Sequence, residues 1–307
     1  MAWRRLGALV MIFVAFSAGG RSAADPGVVT PGLVDVGPGR SLFLDCQGSG
    51  EPTVFVIPGL GSYAEVWNVV IPAGDPVWFT PYDDIELATP IASPEAVQPS
   101  VARRTRVCVY DRPSTRPDGA QRSTPVPQPH SAQQDVEDVV ALIDAAGLPG
   151  PLVFAAHSYG GLVLDLLARR HPDLVAGMVF VEPTSEFLTH LGSAAQNAAF
   201  FADARERGPG AEGILMEQSF AEIDAAPPLP EVPTAVLSGD RFPAPERLSP
   251  DNYTKAQILQ ANGMLAAMLG ASNQIVAGSG HNMMLYQPGV VADAILGIVD
   301  RARGSGG

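Results

Sequence analysis

The 307-residue sequence predicts an α/β protein with a mostly parallel central sheet flanked by helices and a small helical insertion, on three observations. Short apolar runs recur along the chain, at 53–57, 106–110, 152–156, 178–181, 234–237 and 274–277. Stretches with helical spacing lie between several of them. The runs end in turn residues, as at Pro58-Gly59. Continuous apolar runs of this length read as strands covered on both faces, and strands alternating with helices read as a parallel sheet.

Taken in order, the first segment to set aside is the N-terminus. Met1 to Arg5 carries two arginines, Leu6 to Ala18 is apolar and small, and Ser22-Ala23-Ala24 precedes Asp25-Pro26. A basic start, a short apolar stretch and a small-residue cleavage site read as a secretory signal peptide over 1–24, so a secreted or cell-envelope location is expected. The apolar run is shorter than the roughly 20 residues that span a bilayer, so no stable membrane anchor is expected.

Residues 25–307 then form one domain. Leu33–Val36, the turn Gly37–Gly39 and Ser41–Cys46 predict a β-hairpin. Ile71 to Ser100 is rich in Pro and Asp without a period, and is expected to be an irregular excursion. Val136, Val139, Val140 and Ile143 share one face of a helix over about 131–146. Leu162, Leu166 and Leu167 mark a second helix, and Val291, Ile295, Ile298 and Val299 a last one. The stretch 184–232 breaks the alternation and is mostly helical in flavour, so a lid over a strand end is expected there. Its Phe187, Leu188, Phe200, Phe201, Ile214, Leu215 and Phe220 suit an apolar acyl or alcohol pocket.

Charge narrows the partners. Nineteen basic and 32 acidic residues give −13, and removing Arg4, Arg5 and Arg21 with the leader gives −16. Such a surface repels phosphate backbones, which argues against nucleic acid. Scattered histidines and two cysteines offer no metal-ligand spacing, and no phosphate or dinucleotide fingerprint occurs, so no cofactor is implied.

The chemistry centres on Ala156-His157-Ser158-Tyr159-Gly160-Gly161, between an apolar strand and a helix. This is the setting of a nucleophile elbow, which exposes a serine oxygen at the top of the sheet. Small residues are needed two before and two after the serine, and Ala156 and Gly160 meet that need. Ser158 requires a base. Among the five histidines, His281 follows the strand at 274–277 and the flexible Gly278-Ser279-Gly280, where the base belongs in the chain order serine, acid, histidine. His157 points away from the chemistry, His171 caps a helix end, and His130 and His190 are expected to be exposed. For the acid, Asp240 and Glu182 both end apolar runs, and Asp240 is favoured because it occupies the usual post-strand loop. The oxyanion donors would be the backbone N–H groups of Tyr159 and of Leu60, in the loop Pro58-Gly59-Leu60-Gly61-Ser62.

With these residues in place the sequence resembles the α/β-hydrolase superfamily along nearly all of the chain after the leader. The stretch from Val54 to Ser62, with Trp67 shortly after, looks like that family's oxyanion segment, although Pro58 stands where a histidine is common. Arg106 to Pro113 looks like its fourth-strand signature, and His281 with Tyr286-Gln287-Pro288 like its histidine segment. The resemblance implies hydrolysis of a small-molecule carboxylic ester or related acyl bond through an acyl-enzyme on Ser158. A silent binding protein, or a peptidase, thioesterase, perhydrolase or acyltransferase, is the alternative. It also places Cys46 and Cys108 on neighbouring strands, which implies a disulfide between them. The oligomeric state is not addressed by any of these features.

Overall fold

A computed structural model describes residues 31–116, 121–206, 208 and 210–304. The expected signal peptide, 1–24, lies outside the described residues. Ten strands and nine α-helices are found among those described. The hairpin β1 (Gly32–Gly37) and β2 (Arg40–Gln47) leads into β3 (Val54–Ile57). The expected excursion follows, with a small ribbon of β4 (Val69–Val70) and β5 (Ile91–Ala92), short 3-10 turns and the helix α1 (Val97–Ala102). Next come β6 (Val107–Asp111), α2 (Ala132–Ala145), β7 (Leu152–His157), α3 (Tyr159–Arg170) and β8 (Val175–Val181). The insertion supplies α4 (Phe187–Leu191), α5 (Ala194–Arg205) and α6 (Met216–Asp224). The chain closes with β9 (Thr234–Gly239), α7 (Lys255–Met268), β10 (Asn273–Val276), α8 (Met283–Tyr286) and α9 (Pro288–Gly304).

Eight strands form one sheet in the order β1-β2-β6-β3-β7-β8-β9-β10. All pairs from β6 to β10 are parallel, and β1 and β2 are antiparallel additions at one edge. Strand alternation divides the core into two layers. Phe55, Ile57, Phe154 and Phe180 face the layer covered by α2, α3, α6 and α7. Val54, Val56, Val153 and Val179 face the layer covered by α1, α8 and α9. The terminal strand β10 differs from its expected two-sided burial. It is the sheet edge, and Ile275 is half exposed. An edge strand lacks a neighbour on one side, which the apolar pattern of four residues cannot register.

The two cysteines lie opposite each other on β2 and β6 and form the Cys46–Cys108 disulfide, at positions 62 apart in sequence.

Sheet order reverses at β3. The chain leaves β3 to build β6 on one side, then returns to build β7 on the other. The carboxyl ends of β3 and β7 therefore sit side by side at a topological switch point, where open α/β sheets place their ligands. The close approach is visible at Gly160, where a Cβ would lie 2.3 Å from the Ile57 carbonyl oxygen.

Candidate active site

Ser158 sits between the last residue of β7 and the first of α3, at φ 53° and ψ −124°. This is a strained backbone for a residue with a Cβ, and such strain persists only where the surroundings enforce it. They do so here: Ser158 N donates to Val181 O at 3.1 Å, and Ser158 O accepts from Gly161 N and Thr184 N at 2.8 and 2.9 Å. The turn also needs its glycines, since a Cβ on Gly161 would lie 2.7 Å from Pro183 Cβ.

His281 reaches the serine from the loop between β10 and α8, with Nε2 3.0 Å from Ser158 Oγ. Its side chain is about half exposed. On the other ring nitrogen the structure differs from the favoured expectation. The carboxylate beside Nδ1 is Glu182, with Oε2 at 3.7 Å, and not Asp240. Asp240 Oδ1 instead accepts from Gly278 N at 2.8 Å and Ser279 N at 3.3 Å. It thus fixes the loop that carries His281. Glu182 is 5 % exposed and at φ 46°. Its N–H donates to Leu237 O at 2.8 Å, and its Oε1 accepts from Gly239 N. One oxygen held by the neighbouring strand leaves the other aimed at the imidazole.

A second support comes from the excursion between β3 and β6, in a segment where the sequence offered no periodicity. Asp83, buried, accepts from His281 N at 2.7 Å and from the Tyr286 hydroxyl at 2.9 Å. Gly280 makes room for it, since a Cβ there would lie 2.1 Å from Asp83 Oδ1.

His157 packs against this assembly, with its ring centroid 4.8 Å from that of His281. Its Nε2–H donates to His281 O at 2.9 Å. Burial, and then the neighbouring His281, push its pKa down to about 3, so it stays neutral and serves as a donor to the loop.

Leu60 lies in a turn closed by Ser62 N donating to Gly59 O at 3.0 Å, with Gly61 at φ 69°. Tyr159 is the first residue of α3, so its N–H has no partner inside the helix. Both groups flank the elbow, as the loop after β3 and the helix start adjoin at the switch point.

Beneath them lies a buried polar network. Arg112 follows β6 directly and pairs with Glu212 from the insertion, Nε to Oε1 at 2.5 Å, both side chains fully buried. Burial alone would lower the guanidinium's pKa, but Glu212, Tyr110 and Asp135 together outweigh it and raise the pKa well above its ordinary value. The Tyr159 hydroxyl donates to Asp135 Oδ2 at 2.6 Å, and His130 Nε2 lies 3.0 Å from Asp135 Oδ1. The expectation of an exposed His130 is thereby corrected: it is 2 % exposed. The reason is tertiary. His130 N donates to Gly213 O at 3.0 Å and Leu215 N to His130 O at 2.7 Å, so the insertion covers it. Opposed to the cost of burial, Asp135 raises the His130 pKa. His190 is exposed, as expected.

His130, Asp135 and Glu212 offer ligand atoms within 4.8 Å of one another. Their partners nevertheless suit a charge-balanced network better than a cation, because Arg112 occupies Glu212 and the Tyr159 hydroxyl occupies Asp135. A further positive charge there would face the Arg112 guanidinium.

The comparisons agree with this architecture. An uncharacterized protein of Schizosaccharomyces pombe is 35 % identical over 89 residues, which is 29 % of this chain and 16 % of that protein. The chain therefore spans less than a fifth of that relative. Among solved structures, a lipase candidate, Lip1, from Acinetobacter baumannii AYE aligns with TM-score 0.56 and 16 % identity, over 91 % of this chain and 93 % of that one. A thermophilic esterase from Thermogutta terrifontis aligns with TM-score 0.53 and 17 % identity, over 89 % and 99 %. At such identities the likeness is one of fold. A sequence match to the alpha/beta hydrolase family covers residues 54–294, from the first buried strand through the histidine loop into α9. The chain belongs to the alpha/beta hydrolase family.

Proposed function

We propose that this protein is a serine hydrolase that cleaves a carboxylic ester or related acyl bond of a small molecule. The observation that carries the reading is the 3.0 Å approach of His281 Nε2 to Ser158 Oγ at a strained elbow. Ser158 Oγ attacks the acyl carbon while His281 Nε2 takes its proton. The oxyanion that forms is received by the N–H groups of Leu60 and Tyr159. Collapse of this intermediate expels the alcohol, which leaves with the proton from His281, and the acyl group stays on Ser158. Water then attacks the acyl-enzyme with His281 again as base, releasing the acid and the free serine. Glu182 takes the orienting role beside Nδ1, and Asp240 holds the loop.

Membership in the family and the fold shared with proteins named as a lipase candidate and an esterase support the reading. We assign substrate selection to the helical insertion between β8 and β9. An exported location is supported by the disulfide, since oxidising compartments are where such bonds persist. Among the described residues, no helix is long and apolar enough to cross a membrane.

The test is labelling with a fluorophosphonate probe beside p-nitrophenyl ester turnover. Wild type should label and turn over, and Ser158→Ala and His281→Ala should do neither. A folded wild type that neither labels nor turns over would leave a silent binding protein as the better reading.

A further inference from the structure

We propose that Arg112 and Glu212 are positioning residues for the oxyanion hole, so that the 184–232 insertion completes the acyl-transfer site from beneath. The inference rests on reading Ser158 as the acyl-transfer nucleophile.

The geometry converges on the two peptide units that meet at Gly59. Arg112 Nη1 donates to Pro58 O at 2.6 Å, and Nη2 donates to Gly59 O. The Gly59 carbonyl belongs to the same peptide unit as the Leu60 N–H. That unit is trans, and in a planar trans peptide the carbonyl and the N–H point in opposite directions. A guanidinium bonded to the carbonyl therefore turns the N–H away from itself. A cationic donor on the oxygen also draws electron density from the amide and strengthens the hydrogen bond its N–H can give.

Glu212 acts on the next residue. Its Oε2 accepts from Gly61 N at 2.7 Å while its Oε1 holds Arg112 Nε. The loop is thus gripped on both sides of Leu60, and Arg112 keeps the counter-charge without which a buried guanidinium is strongly unfavourable. The second donor hangs from the same network. The Tyr159 ring lies under the Arg112 guanidinium at 5.3 Å, and its hydroxyl is held by Asp135.

Glu212 belongs to the insertion, and the chain around it is fastened to the body. Gly213 N donates to Gln128 Oε1 at 2.9 Å, and Ala132 N donates to Ser219 Oγ at 2.9 Å. This part of the insertion is a fixed buttress, in contrast to the expected role of the whole stretch as a lid.

The experiment compares Glu212→Gln and Arg112→Lys with wild type, using p-nitrophenyl ester kinetics per active site titrated. A trifluoromethyl ketone, whose hemiketal places an oxyanion in the hole, is measured as an inhibitor alongside. Loss of the paired geometry should lower kcat about 10- to 100-fold with KM within about threefold, a fraction of the 10²–10³ that removing one oxyanion donor costs. Trifluoromethyl ketone affinity should fall in parallel with kcat. A purely structural pair would lower the melting temperature alone. Folded variants with wild-type kcat and inhibitor affinity would overturn the proposal. Should either single variant fail to fold, the apolar replacement of both, Arg112→Met with Glu212→Met, removes the charges together. Wild-type kcat in that double variant, or failure of all three to fold, would assign the pair to stability alone. Loss of labelling in wild type, or turnover surviving in Ser158→Ala, would instead strike the underlying hydrolase reading.

Discussion

Glu182 Oε2 lies 3.7 Å from His281 Nδ1, on a side chain whose other oxygen is tied to the backbone of β9. Asp240, one strand over, spends its carboxylate on the amides of Gly278 and Ser279. These two placements predict opposite phenotypes. Glu182→Gln should lower kcat by about 10³-fold or more, as loss of the carboxylate that orients a catalytic imidazole does. Asp240→Asn should lower kcat less than about tenfold and act mainly on thermal stability. Steady-state kinetics of the two variants decide the matter, and the reverse ranking would return the acid role to Asp240.

Asp83 joins the excursion to the histidine loop through His281 N and the Tyr286 hydroxyl. Burial first, and Asp83 second, raise the Tyr286 pKa, so the phenol stays a neutral donor across the working range. Asp83→Ala leaves two donors without their acceptor, at about 1–3 kcal/mol for a buried group. Expected outcomes are a lower melting temperature and a kcat reduced about tenfold or more as His281 loses its fixed position. Tyr286→Phe should cost about 1 kcal/mol and little activity. A kcat for Asp83→Ala equal to wild type would detach this carboxylate from the site.

The Cys46–Cys108 bond closes a loop across 62 positions. On the chain-entropy estimate, that closure stabilises the fold by about 4 kcal/mol. Chemical denaturation of Cys46→Ala/Cys108→Ala against wild type should show a loss of this order. A loss below about 1 kcal/mol would mean that the unfolded chain is already compact near these strands.

Glu186, at the start of the insertion, is buried beside Asp165, and both carboxylates face Arg169. Arg169 also donates to Pro227 O at 3.1 Å, so one side chain ties both ends of the insertion to α3. Burial, and then Asp165, push the Glu186 carboxyl up to about 7 from its ordinary 4.5. Between those values the folded state binds more protons than the unfolded one, so stability falls as pH rises from about 4.5 to 7 and then levels. Glu186→Gln should remove much of that fall, and be more stable than wild type at pH 8 by about 1–2 kcal/mol while matching it near pH 4. Urea unfolding at both pH values is the measurement. An unchanged pH profile in the variant would show that Glu186 ionises normally.

Much of the fold was legible because the covalent sequence carries its periods directly. The hairpin, the buried strands β3, β6, β7, β8 and β9, and helices α2, α3 and α9 follow from apolar spacing and turn residues. The helix α2 also begins at Ser131 with Gln134 in a reciprocal capping arrangement. Ser158 and His281 stood out because a small-residue turn and a glycine-flanked histidine each follow a strand. Arg112 carried a weaker signal, a charge set directly after an apolar strand, but its partner did not. Asp83 lies in a stretch without period and Glu212 between two helices of the insertion, where any acidic residue reads as solvated surface.

What the sequence by itself determined is the alternation of strands and helices, the elbow at Ser158 and the shortlist of two acids. What only the tertiary structure decided is which groups face each other across the sheet. Val181 pairs with Leu237, and that register sets Glu182 against Gly239 and His281. It likewise took the folded chain to bring Glu212 under Gly61, 151 residues away, and Asp83 onto His281, 198 residues away. Local spacing follows from dihedral periodicity within a few residues. The choice among carboxylates is fixed by strand register and side-chain direction, which arise only when distant segments pack.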